Sequence, residues 1–313
     1  MRILFAGTPE IAVPSLEKLA GNFTVCGVLT NPDRVKGRGK KLLPPPVKTK
    51  AQVLGIPVLQ FSTLKGEARE AVHALAPELL VVFAYGRIFG EKFLSLFPYG
   101  GLNVHPSLLP KYRGSSPLLS AILSGDTETG ITVQKVAREM DTGDIVKQIV
   151  HPLSGTETTA SLSEWAAEQG ASLLFEAVTE MEAGTLVSYP QKDEEATYCS
   201  KITKEDGRIN WMENAGLIER KIRAFTPWPG SFTSFRGKKL NILTAYQDTA
   251  YKDSSESPGK VIGVDKMRGI LVQTGNGVLC VTSLQLQSKK VLDWKTFING
   301  TPKIIGSILG GSE

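Results

Sequence analysis

The sequence predicts an α/β protein of two domains, a mostly parallel sheet with covering helices followed by a small β-barrel. Three observations carry that prediction. Short apolar runs alternate with longer helical patterns through the first half, the rhythm of βαβ units. A polar, aperiodic stretch opens at Tyr189-Pro190-Gln191-Lys192-Asp193-Glu194-Glu195, and short strand-like runs separated by turn residues fill the rest. The length of 313 residues suits about two domains at roughly 150 residues each.

Taken in order, the apolar run 3–6 ends at Gly7-Thr8-Pro9 and is followed by a helical pattern over about 11–20. Runs 25–30 and 79–84 continue the series, with helical patterns at 47–54 and 64–75 between them, and 102–104 and 131–136 follow. Sheets of this kind hold their sites beyond the carboxyl ends of the strands. Ser161-Leu162-Ser163-Glu164 has the form of a capping box, opening a helix that should stop near Gly184. The reading therefore gives a first domain over 1–189, a linker over 190–208 and a barrel over 209–313. The last contains one helical stretch, 214–225, and strand-like runs at 231–235, 240–245, 260–264, 270–273 and 278–286.

The composition, 41% apolar and 21% charged, excludes disordered, collagen-like and coiled-coil classes. No apolar run approaches the roughly 18 residues of a membrane span. Because Met1-Arg2-Ile3-Leu4-Phe5-Ala6-Gly7 enters a strand pattern at once, no signal peptide is expected. Cys26, Cys199 and Cys280 are odd in number and far apart, with neither metal spacing nor a disulfide framework, so a reducing cytoplasm is the expected location. The net charge of +5 is unevenly placed. Residues 1–189 hold 18 basic and 18 acidic side chains, whereas 209–313 hold 14 and 8. Within 34–50 stand Arg34, Lys36, Arg38, Lys40, Lys41, Lys48 and Lys50, and no acidic residue. Two positive regions on a near-neutral chain suit an anionic polymer, nucleic acid first. On charge alone, a solvated loop beside a basic soluble domain explains them equally well.

The first loop lacks the second and third glycines of a dinucleotide fingerprint, so the Rossmann-like layout does not imply NAD, and there is no phosphate-loop lysine. Of three histidines, His73 falls on a helical pattern and His151 before a proline, both structural or solvated positions. His105 instead ends the run Gly101-Leu102-Asn103-Val104-His105, where Asn103 projects to the same side of an extended chain. An amide beside an imidazole suits a carbonyl oxygen that becomes an oxyanion. On spacing alone, a polar pair capping local backbone is the favoured alternative. Asp141, in Met140-Asp141-Thr142-Gly143-Asp144, could fix the imidazole; a plain turn aspartate is its alternative. No serine or cysteine has a nucleophile's setting, so the set fits direct attack of one substrate on another.

Further motifs stand in order along the chain: Phe5-Ala6-Gly7-Thr8-Pro9, Asn31-Pro32-Asp33-Arg34 leading to Gly37-Arg38-Gly39-Lys40-Lys41, and Ala84-Tyr85-Gly86. They continue through Asn103-Val104-His105, Ser107-Leu108-Leu109-Pro110-Lys111-Tyr112-Arg113-Gly114, Asp141-Thr142-Gly143-Asp144 and Arg223-Ala224-Phe225-Thr226-Pro227-Trp228-Pro229-Gly230-Ser231. In these motifs the chain resembles the methionyl-tRNA formyltransferase family over nearly its whole length. The resemblance implies formyl transfer from 10-formyltetrahydrofolate, a co-substrate, to the α-amino group of methionine on initiator tRNA; a monomer without metal is expected. Asn103, His105 and Asp141 fall on the family's catalytic positions. Ser107, Leu108, Leu109 and Pro110 fall on its tetrahydrofolate segment. Arg38, Lys40 and Lys41 fall in the loop inserted at the tRNA acceptor end, and Lys204 matches a linker lysine near the tRNA. The OB-like barrel becomes a tRNA-binding domain.

Two departures bear on positioning. Pro106 stands where glycine is more usual, stiffening the loop, and Lys135 and Ala137 stand where the family more often has glutamine and an acidic residue. The implied chemistry needs no strong base, because an α-amino group titrates near 7.7–8.0. Charge on the formyl oxygen is the harder demand, and a donor there is worth about 3 kcal/mol. Asn103 and a protonated His105 are the expected donors, with Asp141 pairing His105 and relaying a proton. Two rivals stand beside this reading: a formyltransferase of the same catalytic domain acting on a small amine, and a catalytically silent RNA-binding protein.

Overall fold

A computed structural model describes residues 1–36, 41–251 and 255–311, with the side chains of Lys36, Lys41 and Pro302 left outside the description. The chain forms two compact units, the first made of Met1–Leu118, Glu128–Pro152 and Leu162–Ser200. Its strands are β1 (Arg2–Gly7), β2 (Thr24–Leu29), β3 (Arg34–Lys36), β4 (Lys41–Leu43), β5 (Val58–Leu59), β6 (Leu79–Phe83), β7 (Gly101–His105), β8 (Arg113–Gly114), β9 (Glu128–Lys135), β10 (Ile145–Pro152) and β11 (Tyr198–Cys199). Its helices are α1 (Val13–Ala20), α2 (Pro46–Val53), α3 (Glu67–Ala74), α4 (Glu91–Leu94), α5 (Pro117–Ser124), which continues into the second unit, and α6 (Thr159–Glu182).

Seven strands form one sheet in the order β10-β9-β7-β6-β1-β2-β5. The pairings from β7 to β5 are parallel, and β9 and β10 extend that edge antiparallel. All five residues of β6 are buried, as are Ile3, Leu4, Phe5 and Ala6 of β1. Strands covered on both faces need continuous apolar runs, which is why these stood out in the sequence. β10 did not. It is an edge strand, half-buried over much of its length, with Lys147, Gln148 and His151 interrupting the apolar pattern. α5 also lay outside the expectation.

α6 runs 24 residues and buries Leu162, Ala166, Gly170, Leu174 and Val178 at every fourth position. It starts two residues before the expected Ser161. Thr158 and Ser161 cap each other, Ser161 N donating to Thr158 Oγ1 at 3.2 Å and Thr158 N to Ser161 Oγ at 3.0 Å. A serine hydroxyl thus fills the reciprocal place that the box assigns to Glu164. Gly184, at φ +70°, follows the helix end as expected.

The second unit joins Leu119–Thr127 and Leu153–Ser161 to the chain from Lys201 onward, so it is not a simple cut after the expected linker. Hydrogen bonds from α7 (Ala215–Ala224) explain why. Arg220 Nε donates to Leu123 O at 3.0 Å and Arg223 Nη1 to Glu157 O at 2.8 Å, while Ala224 O accepts from Thr159 Oγ1 at 2.6 Å. Strands β12 (Ser231–Phe235), β13 (Lys238–Asp248), β14 (Val261–Asp265), β15 (Gly269–Gln273) and β16 (Val278–Leu286) pair antiparallel in the order β12-β13-β16-β15-β14, and β17 (Leu292–Asp293) pairs β16. The sheet's two edges are bridged by one segment. Val261 N donates to Ser307 O at 2.9 Å, Leu309 N to Gly259 O at 2.8 Å, and Gly310 N to Ser234 O at 2.9 Å. The enclosed core includes Trp211, Ile218, Ile222, Leu240, Leu279 and Phe297. Phe297 lies on α8 (Trp294–Gly300), a short helix the sequence pattern did not reveal, capped by Asp293.

Candidate active site

β7 and β9 bring four polar side chains together where β7 ends. Asn103 and His105 lie two apart and point to one face, and their antiparallel partners Gln134 and Thr132 share that face. Thr132, Gln134 and His105 are all buried, and Asn103 is half-buried. Polar groups this deep must be paired, and their pairing builds the site.

Asp141 completes it from the turn after β9. Its Oδ1 accepts from Gln134 Nε2 at 3.0 Å and lies 3.5 Å from both Asn103 Nδ2 and His105 Nδ1. Its Oδ2 accepts from Gly114 N at 2.9 Å. The carboxylate is thereby engaged on both oxygens, with its side chain only 10% exposed. On the far side of the ring, His105 Nε2 lies 2.9 Å from Tyr112 O. A carbonyl only accepts, so Nε2 carries a proton and donates, which leaves Nδ1 as the position shared with Asp141. The turn is tight in two ways. Asp141 sits at φ +58°, a left-handed conformation worth about 1–2 kcal/mol of strain in a non-glycine residue. Gly143 presses against β9 so closely that a Cβ there would stand 1.8 Å from Lys135 O.

The three expected catalytic residues therefore meet. The expected tetrahydrofolate segment lies immediately beyond them. Ser107 N donates to His105 O at 2.9 Å, closing a three-residue turn around Pro106 whose fixed φ suits it. Ser107 and Leu109 are buried: Ser107 Oγ donates to Lys111 O at 2.6 Å, and Leu109 N to Thr132 Oγ1 at 3.1 Å. Gln148 Nε2 donates to Leu109 O at 2.9 Å, and Leu108 and Pro110 are half-buried. Of the expected tRNA contacts, Arg38 and Lys40 lie outside the described residues, and of Lys41 only the backbone, in β4, is described. Lys204 is exposed in the second unit.

What the basic segment does show is a paired base. β3 and β4 pair antiparallel, Arg34 opposite Leu43 and Val35 opposite Leu42, with both Val35 and Leu42 exposed. Lys48 Nζ donates to Asp33 at 2.8 Å, and Arg87 Nε donates to Asn31 Oδ1 at 2.7 Å. Lys48 beside Asp33 holds that carboxyl below its ordinary range.

Sequence reasoning missed most of the residues that hold Asp141. Gln134 and Thr132 were readable, as polar residues alternating with Ile131 and Val133 in a buried strand. Gln191 carried no such signal, because it stands in the expected linker. That stretch is not a plain linker. Tyr189 bridges Ile145, and β11 pairs parallel with β8, keeping the chain to Ser200 in the first unit. The second unit carries an unexpected local concentration of charge. Arg236, Lys238 and Lys239 at the β12–β13 turn, and Lys289 and Lys290 after β16, are all exposed. Among the described residues none of the five forms an ion pair. Gln287 N donates to Lys239 O at 2.9 Å, so the two turns adjoin.

Among the described residues, no group of three His, Cys, Asp or Glu is placed to hold a metal ion, and no helix is long and apolar enough to cross a membrane. Comparison with known proteins matches residues 1–178 to the formyl transferase family and 201–302 to the formyl transferase C-terminal domain. The methionyl-tRNA formyltransferase of Treponema denticola is 46% identical over 97% of this chain and 98% of its own. Among solved structures, the methionyl-tRNA formyltransferase from Clostridium thermocellum aligns with a TM-score of 0.57 at 19% identity, over 80% of this chain and 95% of that one. HypX from Aquifex aeolicus in complex with tetrahydrofolic acid aligns with a TM-score of 0.63 at 20% identity over 97% of this chain, which spans about half (48%) of HypX. With both family models matched and relatives of this identity over nearly their full length, the chain belongs to the methionyl-tRNA formyltransferase family.

Proposed function

We propose that this chain transfers the formyl group of 10-formyltetrahydrofolate to the α-amino group of methionine on initiator Met-tRNA, acting as a cytoplasmic monomer. The observation that carries the reading is the junction of Asn103, His105 and Asp141 where β7 ends. When the amine attacks the formyl carbon, negative charge gathers on the formyl oxygen. Among the described residues Asn103 Nδ2 has one partner, at 3.5 Å, which leaves a hydrogen for that oxygen. A donor so placed contributes about 3 kcal/mol. His105 keeps Nε2 on Tyr112 O and holds Nδ1 against Asp141. That pair receives the proton leaving the attacking nitrogen, directly or through water, and returns it to the departing folate nitrogen.

Ser107, Leu108, Leu109 and Pro110 serve the folate as a fixed wall, since Thr132 and Gln148 hold the segment's backbone. Arg38, Lys40, Lys41 and Lys204 meet tRNA phosphates, joined by Arg236, Lys238, Lys239, Lys289 and Lys290. Such contacts position the RNA through charge rather than base edges. Incubation with 10-formyltetrahydrofolate and either initiator Met-tRNA or free small amines tests the reading. Formylation of Met-tRNA alone supports it. Transfer only to a small amine assigns the chain to that other substrate class, and a folded protein active on neither overturns both.

A further inference from the structure

We infer that Gln191, clasped by Arg113, is a positioning residue for the proposed formyl transfer: its side-chain amide staples the Asp141 turn and so sets the carboxylate against Asn103 and His105. This inference rests on the reading of Asp141 as part of the reacting site.

The geometry is specific to an amide. Gln191 Nε2 donates to Asp141 O and to Gly143 O, both at 2.8 Å, spanning the turn from one side. Gln191 Oε1 accepts from Arg113 Nε at 3.1 Å and from Arg113 Nη2 at 2.9 Å. Gln191 Nε2 also donates to Gln134 Oε1 at 3.3 Å, so the amide has one orientation that satisfies its five partners: a flipped one would set NH₂ against the guanidinium and C=O against three acceptor oxygens. Arg113 is itself buried, 3% exposed, and fixed by Asp193 at 2.7 Å. Asp141 is the residue that needs holding, because its left-handed backbone persists only where neighbours over-determine it.

The same stretch of chain fixes the other wall of the site. Arg113 N donates to Thr197 O at 2.9 Å, and Tyr112 N to Thr197 Oγ1 at 2.9 Å. These hold the loop that supplies Tyr112 O to His105 and Gly114 N to Asp141. Residues 191–199 thus grip the two backbone segments that present partners to the His105–Asp141 pair, and the hydrogen bonds of Gln191 go to backbone carbonyls, Gln134 and Arg113 rather than to the imidazole or carboxylate. Gln191 acts through Asp141 and is not a catalytic residue.

Gln191→Glu is the sharpest probe. It keeps size and the Arg113 partner but turns acceptors toward two carbonyl oxygens. Displacement of the carboxylate by about 1 Å is expected to lower kcat roughly 100-fold, with Kd for Met-tRNA and Tm little changed. A structural role alone would not produce the next result. In an Asp141→Asn background, Gln191→Glu should cost less than about twofold, because the group it positions is already disabled. Equal losses in both backgrounds, or wild-type kcat in Gln191→Glu, overturn the inference. If Gln191→Glu does not fold, Gln191→Met, which removes the staple without repulsion, is read in the same cycle with the same criteria. Should Asp141→Asn itself keep full kcat, the reading of the active site fails first, and the inference with it.

Discussion

The end of β7 and the basic turns of the barrel use charge in opposite ways. At β7 the polar side chains are buried or half-buried and both oxygens of Asp141 are engaged. At the β12–β13 turn and after β16, five cations stand exposed, with no ion pair among the described residues. Burial converts hydrogen bonds into fixed geometry, which bond-making chemistry requires to within fractions of an ångström. Exposure produces a field that is screened over about 10 Å and tolerates small shifts, which suits a flexible polyanion. The first region should therefore govern rate and the second salt-dependent affinity.

The largest effect is expected in the buried region. His105→Ala should lower kcat by about a thousandfold, within the range for a positioned acid–base group, while leaving tRNA affinity intact. A near-normal kcat in single-turnover assays would remove His105 from the mechanism. Gly143→Ala sharpens the claim that geometry, not charge, decides this region. Its Cβ would lie 1.8 Å from Lys135 O, so the turn carrying Asp141 must move. A fall in kcat of about 100-fold is expected although no charge changes, and an unaltered rate would show that the turn adapts freely.

The exposed region should behave otherwise. Replacing Lys238, Lys239, Lys289 and Lys290 by alanine should leave kcat at saturating Met-tRNA unchanged. The slope of log K against log salt should become shallower by roughly 0.7–0.9 for each phosphate that is no longer neutralised. An unchanged slope would mean that the turns do not meet the RNA. The smallest effect concerns Glu157, which borders the second unit's α7. Burial pushes its carboxyl up, but Ser154 N, Ser154 Oγ and Gly155 N outweigh it and hold the value down to about 2. A folded value below the ordinary 4.5 means that its stabilisation is complete above that pH and fades as pH falls toward about 2. Glu157→Gln should cost about 1 kcal/mol at pH 7 by thermal melting, with the gap from wild type narrowing below pH 4.5. A gap independent of pH would argue against the carboxylate's role.

Much of the fold was legible because buried strands announce themselves. The apolar run 3–6 lies within β1, 79–84 overshoots β6 by one residue, and 231–235 and 278–286 coincide with β12 and β16. Edge and short elements were not, since Lys147, Gln148 and His151 break the apolar pattern of β10 and α8 is too short to show a helical period. Asn103, His105 and Asp141 could be named as candidates, but spacing alone left capping roles open. Only the pairing of β7 with β9 placed Asn103 opposite Gln134 and His105 opposite Thr132.

The long buried strands, the concentrations of charge and the family motifs can all be read along the chain. These depend on local pattern, and local pattern is written along the chain. That Gln191, 50 residues from Asp141, bonds to its turn and that Tyr112 O faces the imidazole appear only once the chain is folded. A hydrogen bond between distant residues depends on the path of every element between them, and no periodicity in one stretch encodes it.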